Sequence, residues 1–161
     1  MQIRIRATGQ VLLEHEWIKW VATTYAKSIS AMTADIYDRF DSDAVFEGAQ
    51  ATGGTVYQYS QRDGVEQQSD GKWYTKYILG PVFVDGETTA VAQEAAYKAQ
   101  KDTEQAASVR ASRTEKLKDC DWTQISDSTA DKAAWATYRQ ALRDITKQAG
   151  FPWTVEWPVQ P

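Results

Sequence analysis

Apolar and charged residues alternate at the start of the chain, where Ile3 and Ile5 are separated by Arg4 and followed by Arg6. A period of two is what a half-buried strand requires. Thr8-Gly9 predicts a turn into a second strand around Val11–Leu13. From Glu16 the period lengthens, and Trp17, Trp20, Val21 and Tyr25 fall on one side of a helix. Thr33 as N-cap, with Asp35 in the first turn, predicts a second short helix whose inner side is Ile36, Tyr37 and Phe40.

Three Asp-Gly pairs follow, Asp63-Gly64, Asp70-Gly71 and Asp85-Gly86. Each predicts a hairpin turn, because both residues tolerate the positive φ that tight hairpins demand. Residues 55–60 and 72–79 are rich in aromatic and β-branched side chains and predict strands of a small antiparallel sheet. Tyr57 and Tyr59 would share one face, and Trp73, Thr75 and Tyr77 another. Such faces serve as core cover or as stacking platforms for a sugar or a protein.

Past Gly86 the composition changes. Residues 88–119 hold no Pro or Gly and are dominated by Ala, Glu, Gln, Lys and Arg, which predicts one helix of about 45 Å. Its apolar stripe (Ala92, Ala95, Ala99, Ala106, Val109) is mostly alanine, thin for a coiled coil. A spacer on a partner, a self-associating stalk and one arm of a hairpin all fit it. Trp135, Tyr138, Leu142 and Ile145 then predict a second amphipathic helix, opened by a Ser128/Asp131 capping box and stopped by Gly150. Three prolines in the last eleven residues favour an extended tail. The fold class expected is therefore α+β. Residues 1–86 form an N-terminal domain, 87–119 a long connecting helix, and 120–161 a compact helix with a Trp/Pro tail.

Charge and cysteine content narrow the function. A formal net charge of −4 and no basic patch argue against nucleic acid as a main partner. No apolar run reaches the ~20 residues that span a bilayer, and the first residues lack the apolar core of a signal peptide. Cys120, the single cysteine, cannot form an internal disulfide. Catalytic candidates are few. His15 lies between Glu14 and Glu16 without a recognisable nucleophile, which favours an ordinary histidine at a strand–helix junction. Cys120 is flanked by Asp119 and Asp121, whose charge works against an activated thiolate. One Cys and one His leave no recognisable zinc spacing, and Gly53-Gly54 makes no phosphate loop, since it lacks the remaining glycines, the Lys and the following helix. No enzyme, metal or cofactor is expected.

The last third carries the functional signal. It contains Asp121-Trp122-Thr123, a polar loop, then Trp135, Tyr138-Arg139 and Leu142-Arg143 on one helix, and finally Trp157-Pro158. This order, over about residues 116–161, resembles the C-terminal module of phage tail assembly chaperones and tail-fibre assembly proteins. The resemblance implies a protein that binds a phage tail or tail-fibre component, helps it fold or assemble in the host cytoplasm, and in some relatives stays on the virion tail. Carried over residue by residue, the module positions are Trp122, Trp135, Tyr138, Arg139, Leu142, Arg143, Trp157 and Pro158. Trp153 joins them on its own chemistry: with Trp157 it either folds back on the Trp135 helix or anchors a partner. Arg139 and Arg143 face either a partner's carboxylates or solvent. The alternative from another class is a structural fibre or baseplate component, with the long helix as an oligomerising stalk and the aromatic sheet as adaptor or receptor-binding head. A depolymerase acting on host polysaccharide is a third.

Overall fold

The computed structural model describes residues 1–33 and 35–161. The chain divides into two compact units, Met1–Val82 and Phe83–Pro161.

The first unit is built on five strands: β1 (Gln2–Ile5), β2 (Val11–Leu13), β3 (Ser42–Phe46), β4 (Tyr59–Gln67) and β5 (Trp73–Gly80), in the spatial order β2-β1-β3-β5-β4. Two helices, α1 (Glu14–Tyr25) and α2 (Ile36–Arg39), complete it. The predicted alternation in β1 is realised: Ile3 and Ile5 are buried beneath Trp17 and Val21 of α1, Ile36 of α2 and Phe40 just past it. The Thr8-Gly9 turn holds Gly9 at φ +73.

Three features differ from the sequence expectation. The sheet is not wholly antiparallel, because β3 runs parallel to β5 through Val45↔Trp73 and Phe46↔Tyr74. The Asp63-Gly64 pair is not a hairpin turn. It sits inside β4 as a bulge, with the pairing register shifting between Arg62 and Val65 and Gly64 at φ +80. A bulge and a hairpin turn ask for the same positive φ, so the dipeptide does not separate them. Asp85-Gly86 leads into the long helix instead, where the Asp85 carboxylate accepts from the Ala90 amide at 2.7 Å. Only Asp70-Gly71 turns a hairpin, between β4 and β5, with Asp70 accepting from the Lys72 amide at 2.9 Å. Those bonds from Lys72 and Tyr74 hold the Asp70 carboxyl below its ordinary range.

The expected strand at residues 55–60 also begins late, at Tyr59, because residues 47–58 cross one face of the sheet. Gly48 donates to Thr75 Oγ1 at 2.7 Å and Ala51 to Ser60 Oγ at 2.9 Å. A Cβ at Gly48 would run into the Thr75 carbonyl, so this crossing needs glycine there. Of the two tyrosines expected to share a strand face, Tyr57 precedes the strand and Tyr59 opens it, half exposed. On the next strand Arg4 lies 3.9 Å over the Trp73 ring and Tyr77 donates to Glu47. His15 is an exposed residue in the first turn of α1.

One buried polar pair fixes α1 on the sheet. Trp17 Nε1 donates to Ser42 Oγ at 2.9 Å, and that hydroxyl donates on to the Phe40 carbonyl. Both residues are fully buried. Ser42→Ala would strand the indole N–H without an acceptor, so we expect unfolding in urea to report a loss of about 1–3 kcal/mol. An unchanged midpoint would show that the pair contributes nothing net.

The second unit is helical. α3 (Ala90–Asp119) is the long helix, α4 (Lys132–Asp144) the amphipathic one, and 3₁₀ turns follow each, at Asp121–Gln124 and Ile145–Lys147. The four expected periodic positions, Trp135, Tyr138 and Leu142 of α4 and Ile145 at the start of the 3₁₀ turn, are all in the core, with Val109 and Cys120 from the α3 side. Of the α3 stripe, Ala106 and Val109 are buried while Ala92, Ala95 and Ala99 are exposed. The reason is length: thirteen residues of α4 cover only the later half of a thirty-residue helix.

The predicted cap of α4 is displaced. Asp131, not Ser128, is the N-cap, and its carboxylate accepts from the amides of Ala133 and Ala134. Gly150 is not the helix stop either, since α4 ends at Asp144 in a 3₁₀ turn. The tail is not extended from its start: Thr154 donates to the Gly150 carbonyl at 2.7 Å, folding residues 150–154 into a turn. Gly150 serves that turn, where a Cβ would strike the Thr154 carbonyl.

Candidate functional site

Each residue of the Asp-Trp-Thr segment has a separate mechanical task. Asp121 pairs with Arg139 at 2.9 Å. Trp122 lies edge-on to Trp135, ring centres 5.7 Å apart at 66°. Thr123 is fully buried and donates to the Cys120 carbonyl at 2.7 Å, closing the 3₁₀ turn. Trp135 in turn meets Tyr138 edge-on at 5.7 Å and 90°. The result is a short aromatic ladder whose inner members are buried and whose outer member, Trp122, is 52% exposed.

Arg139 locks the two helices together. One guanidinium nitrogen donates to the Leu117 carbonyl at 2.8 Å and to Cys120 Sγ at 2.9 Å, and a second reaches Asp121. It thereby adds a side-chain donor to a last-turn carbonyl of α3 that also accepts from the Cys120 amide. Burial works against its charge, but the bonds to Asp121 and Cys120 outweigh that and hold the guanidinium above its ordinary range. Burial likewise pushes the Tyr138 phenol up. Cys120 is buried, its thiol donating to the Leu117 carbonyl at 3.2 Å, and it has the place of a small core residue.

The tail folds back on its own unit. Trp153 Nε1 donates to Asp102 of α3 at 2.6 Å, and Phe151, Val155 and Trp157 pack against the helical core. Arg110 lies 5.4 Å over the Phe151 ring and Lys116 5.3 Å over the Trp157 ring. Gln148 grips the tail at both ends of Glu156, accepting from its amide and donating to its carbonyl.

The nine residues singled out from sequence thus fall into three groups. Trp135, Tyr138 and Leu142 are interior, and Arg139 is half-buried and tied to its own unit. Trp153, Trp157 and Pro158 are half-buried along the folded tail. Trp122 and Arg143 are exposed, and Arg143 bonds to Gln140 of its own helix. The structure adds Ile125, 54% exposed just past the 3₁₀ turn, which sequence reasoning passed over because it belongs to no periodic pattern. No group of three or more His, Cys, Asp or Glu side chains among the described residues could hold a metal ion. No helix among them is long and apolar enough to cross a membrane.

These features define a helical hairpin closed by a 3₁₀ turn and clamped by an aromatic tail. The hairpin and tail, residues 106–161, match the family of the phage tail assembly chaperone protein. The matched stretch begins at Ala106, the first buried residue of α3, and so coincides with the packed part of the unit. No curated protein and no solved structure matches the chain. The match over these residues supports a role in phage tail assembly, and a chaperone family points to a non-enzymatic one.

Proposed function

We propose that the chain binds a phage tail or tail-fibre component during assembly in the host cytoplasm, and that residues 120–161 form the client-binding module. The observation that carries this reading is the exposed end of the aromatic ladder. Trp122 tops a stack whose lower members are buried, which holds its exposed ring in one orientation, as a tryptophan that anchors a partner requires. Ile125 beside it in the chain offers a second apolar anchor.

The second reading is a resident structural component. It is favoured by the first half of α3, residues 90–104, which leaves the hairpin and carries exposed Val91 and exposed alanines. In that reading the helix associates with copies of itself.

Co-expression and particle composition separate the two. A tail or fibre protein that becomes soluble and co-purifies only with this chain, while purified particles lack it, supports the chaperone. A stoichiometric presence in particles, in threes or sixes, supports the structural component. A chain that neither co-purifies with nor solubilises any tail protein and is absent from particles overturns both.

A further inference from the structure

We infer that the Arg110–Arg113–Lys116 face of α3 binds an acidic segment of the client, an inference that rests on the client-binding reading above. The basis is a difference among the cations of one helix. Lys98, Lys101 and Lys118 are each paired with a glutamate one turn away, at 2.7, 2.7 and 2.9 Å. Arg110, Arg113 and Lys116 make no ion pair among the described residues. Spaced at i, i+3 and i+6, the three occupy one broad side of the helix, which the folded tail borders. Arg110 and Lys116 spread over Phe151 and Trp157. Stacking of this kind uses the face of a guanidinium and leaves its edge donors available to a carboxylate.

Arg113 is the centre of the site. It lies on the inner stripe of α3 with Val109 and Leu117 and is half-buried. Its Nε is shielded from water and meets no acceptor. A partly desolvated guanidinium without a counter-ion gains more from an arriving carboxylate than a fully solvated lysine does. Beside Arg110 a shallow groove of about 280 Å³, walled by Thr103, Ala106, Phe151 and Pro152 and by Asp102, whose carboxylate accepts from the Trp153 indole, takes an apolar neighbour of the bound acid.

The charge pattern favours a short acidic peptide over a nucleic acid. The three cations span ~9 Å of helix axis, the reach of about three residues of extended chain. Immediately afterwards Asp119, Asp121, Asp127 and Asp131 follow without an intervening Lys or Arg. A long polyanion tracking the cations would meet that repulsive run, whereas a peptide of a few residues would not.

The test is titration of the full-length chain with hexaglutamate, hexaglutamine and a single-stranded oligonucleotide, followed by NMR of the tryptophan indole and arginine side-chain signals. Hexaglutamate is expected to move the Trp157 and Arg113 signals, while hexaglutamine is silent and the oligonucleotide weaker. Arg110→Gln and Lys116→Gln, both at exposed positions, should each weaken hexaglutamate binding by roughly two- to fivefold, with no more than the small melting change that a lost exposed ring contact brings. Added salt should weaken it further. Absence of shifts, equal response to hexaglutamine, indifference to both substitutions, or preference for the oligonucleotide would each overturn the inference. Client co-purification is scored separately. A chain that captures its client but ignores hexaglutamate loses this site and keeps the assembly role; one that binds hexaglutamate but captures no tail protein keeps an anion site and loses the client.

Discussion

Trp135→Ala is expected to lower the stability of the helical unit by about 3–5 kcal/mol, the cost of emptying a tryptophan-sized volume in a small core. Trp135 is 7% exposed and touches both Trp122 and Tyr138, so its removal also cuts the aromatic ladder in two. Leu142 and Ile145 beneath it are fully buried and cannot swing outward to fill the space. For a unit of this size each kcal/mol shifts the midpoint by roughly 4–8 °C, so the effect is a large fraction of its whole margin. Thermal unfolding followed by near-ultraviolet circular dichroism would report it. Unchanged melting would mean that the helix does not bury Trp135, and the core would have to be redrawn. Loss of client binding by this variant would say nothing about contact, since the module itself would be compromised.

How much of this was legible beforehand depended on whether a feature is local and periodic. The inner face of α4 was readable because four large apolar residues recur at helical spacing, and the long helix because thirty residues of helix formers contain no breaker. β3 was not readable. Its residues on the helix-covered side begin with Ser42 and Ala44, and no hydrophobic alternation marks them. Ser42 is buried because its hydroxyl receives the Trp17 indole, a contact spanning twenty-five residues that no local pattern announces. The parallel β3–β5 pairing has the same origin: it depends on a crossing through residues 47–58, and Gly48 shows its necessity only once the Thr75 carbonyl is beside it. Caps failed for a different reason. Ser128 and Asp131 are both good N-cap residues three apart, and the choice between them is made by where the preceding turn delivers the chain.

The site residues divide along the same line. A tryptophan is more often buried than displayed, so sequence offered no ground for separating Trp122 from Trp135. Their edge-on packing separates them: one tryptophan supports the other, and only the outer one meets solvent. For the tail the sequence left two outcomes open, and the bond from Trp153 to Asp102 together with Lys116 over Trp157 favours the folded-back form, although onto α3 more than onto α4.

Replacing Trp122 and Ile125 together by serine should therefore abolish client capture while leaving the module folded. Truncation of a tryptophan anchor at the centre of an interface commonly costs 2 kcal/mol or more, a loss of about thirtyfold, and removing the neighbouring isoleucine should deepen it. The stability cost in the free chain should stay near 1 kcal/mol or below, because both side chains are already more than half exposed. Co-purification of the tail component and the melting curve of the free variant are the two measurements needed. The two must move apart, with capture lost and melting kept. Retained capture would place the interface elsewhere, and the cationic face of α3 and the N-terminal unit would then be the surfaces to examine. A steep fall in melting would instead show that Trp122 shields the ladder from water, making it the outermost layer of the core and not an anchor for a partner.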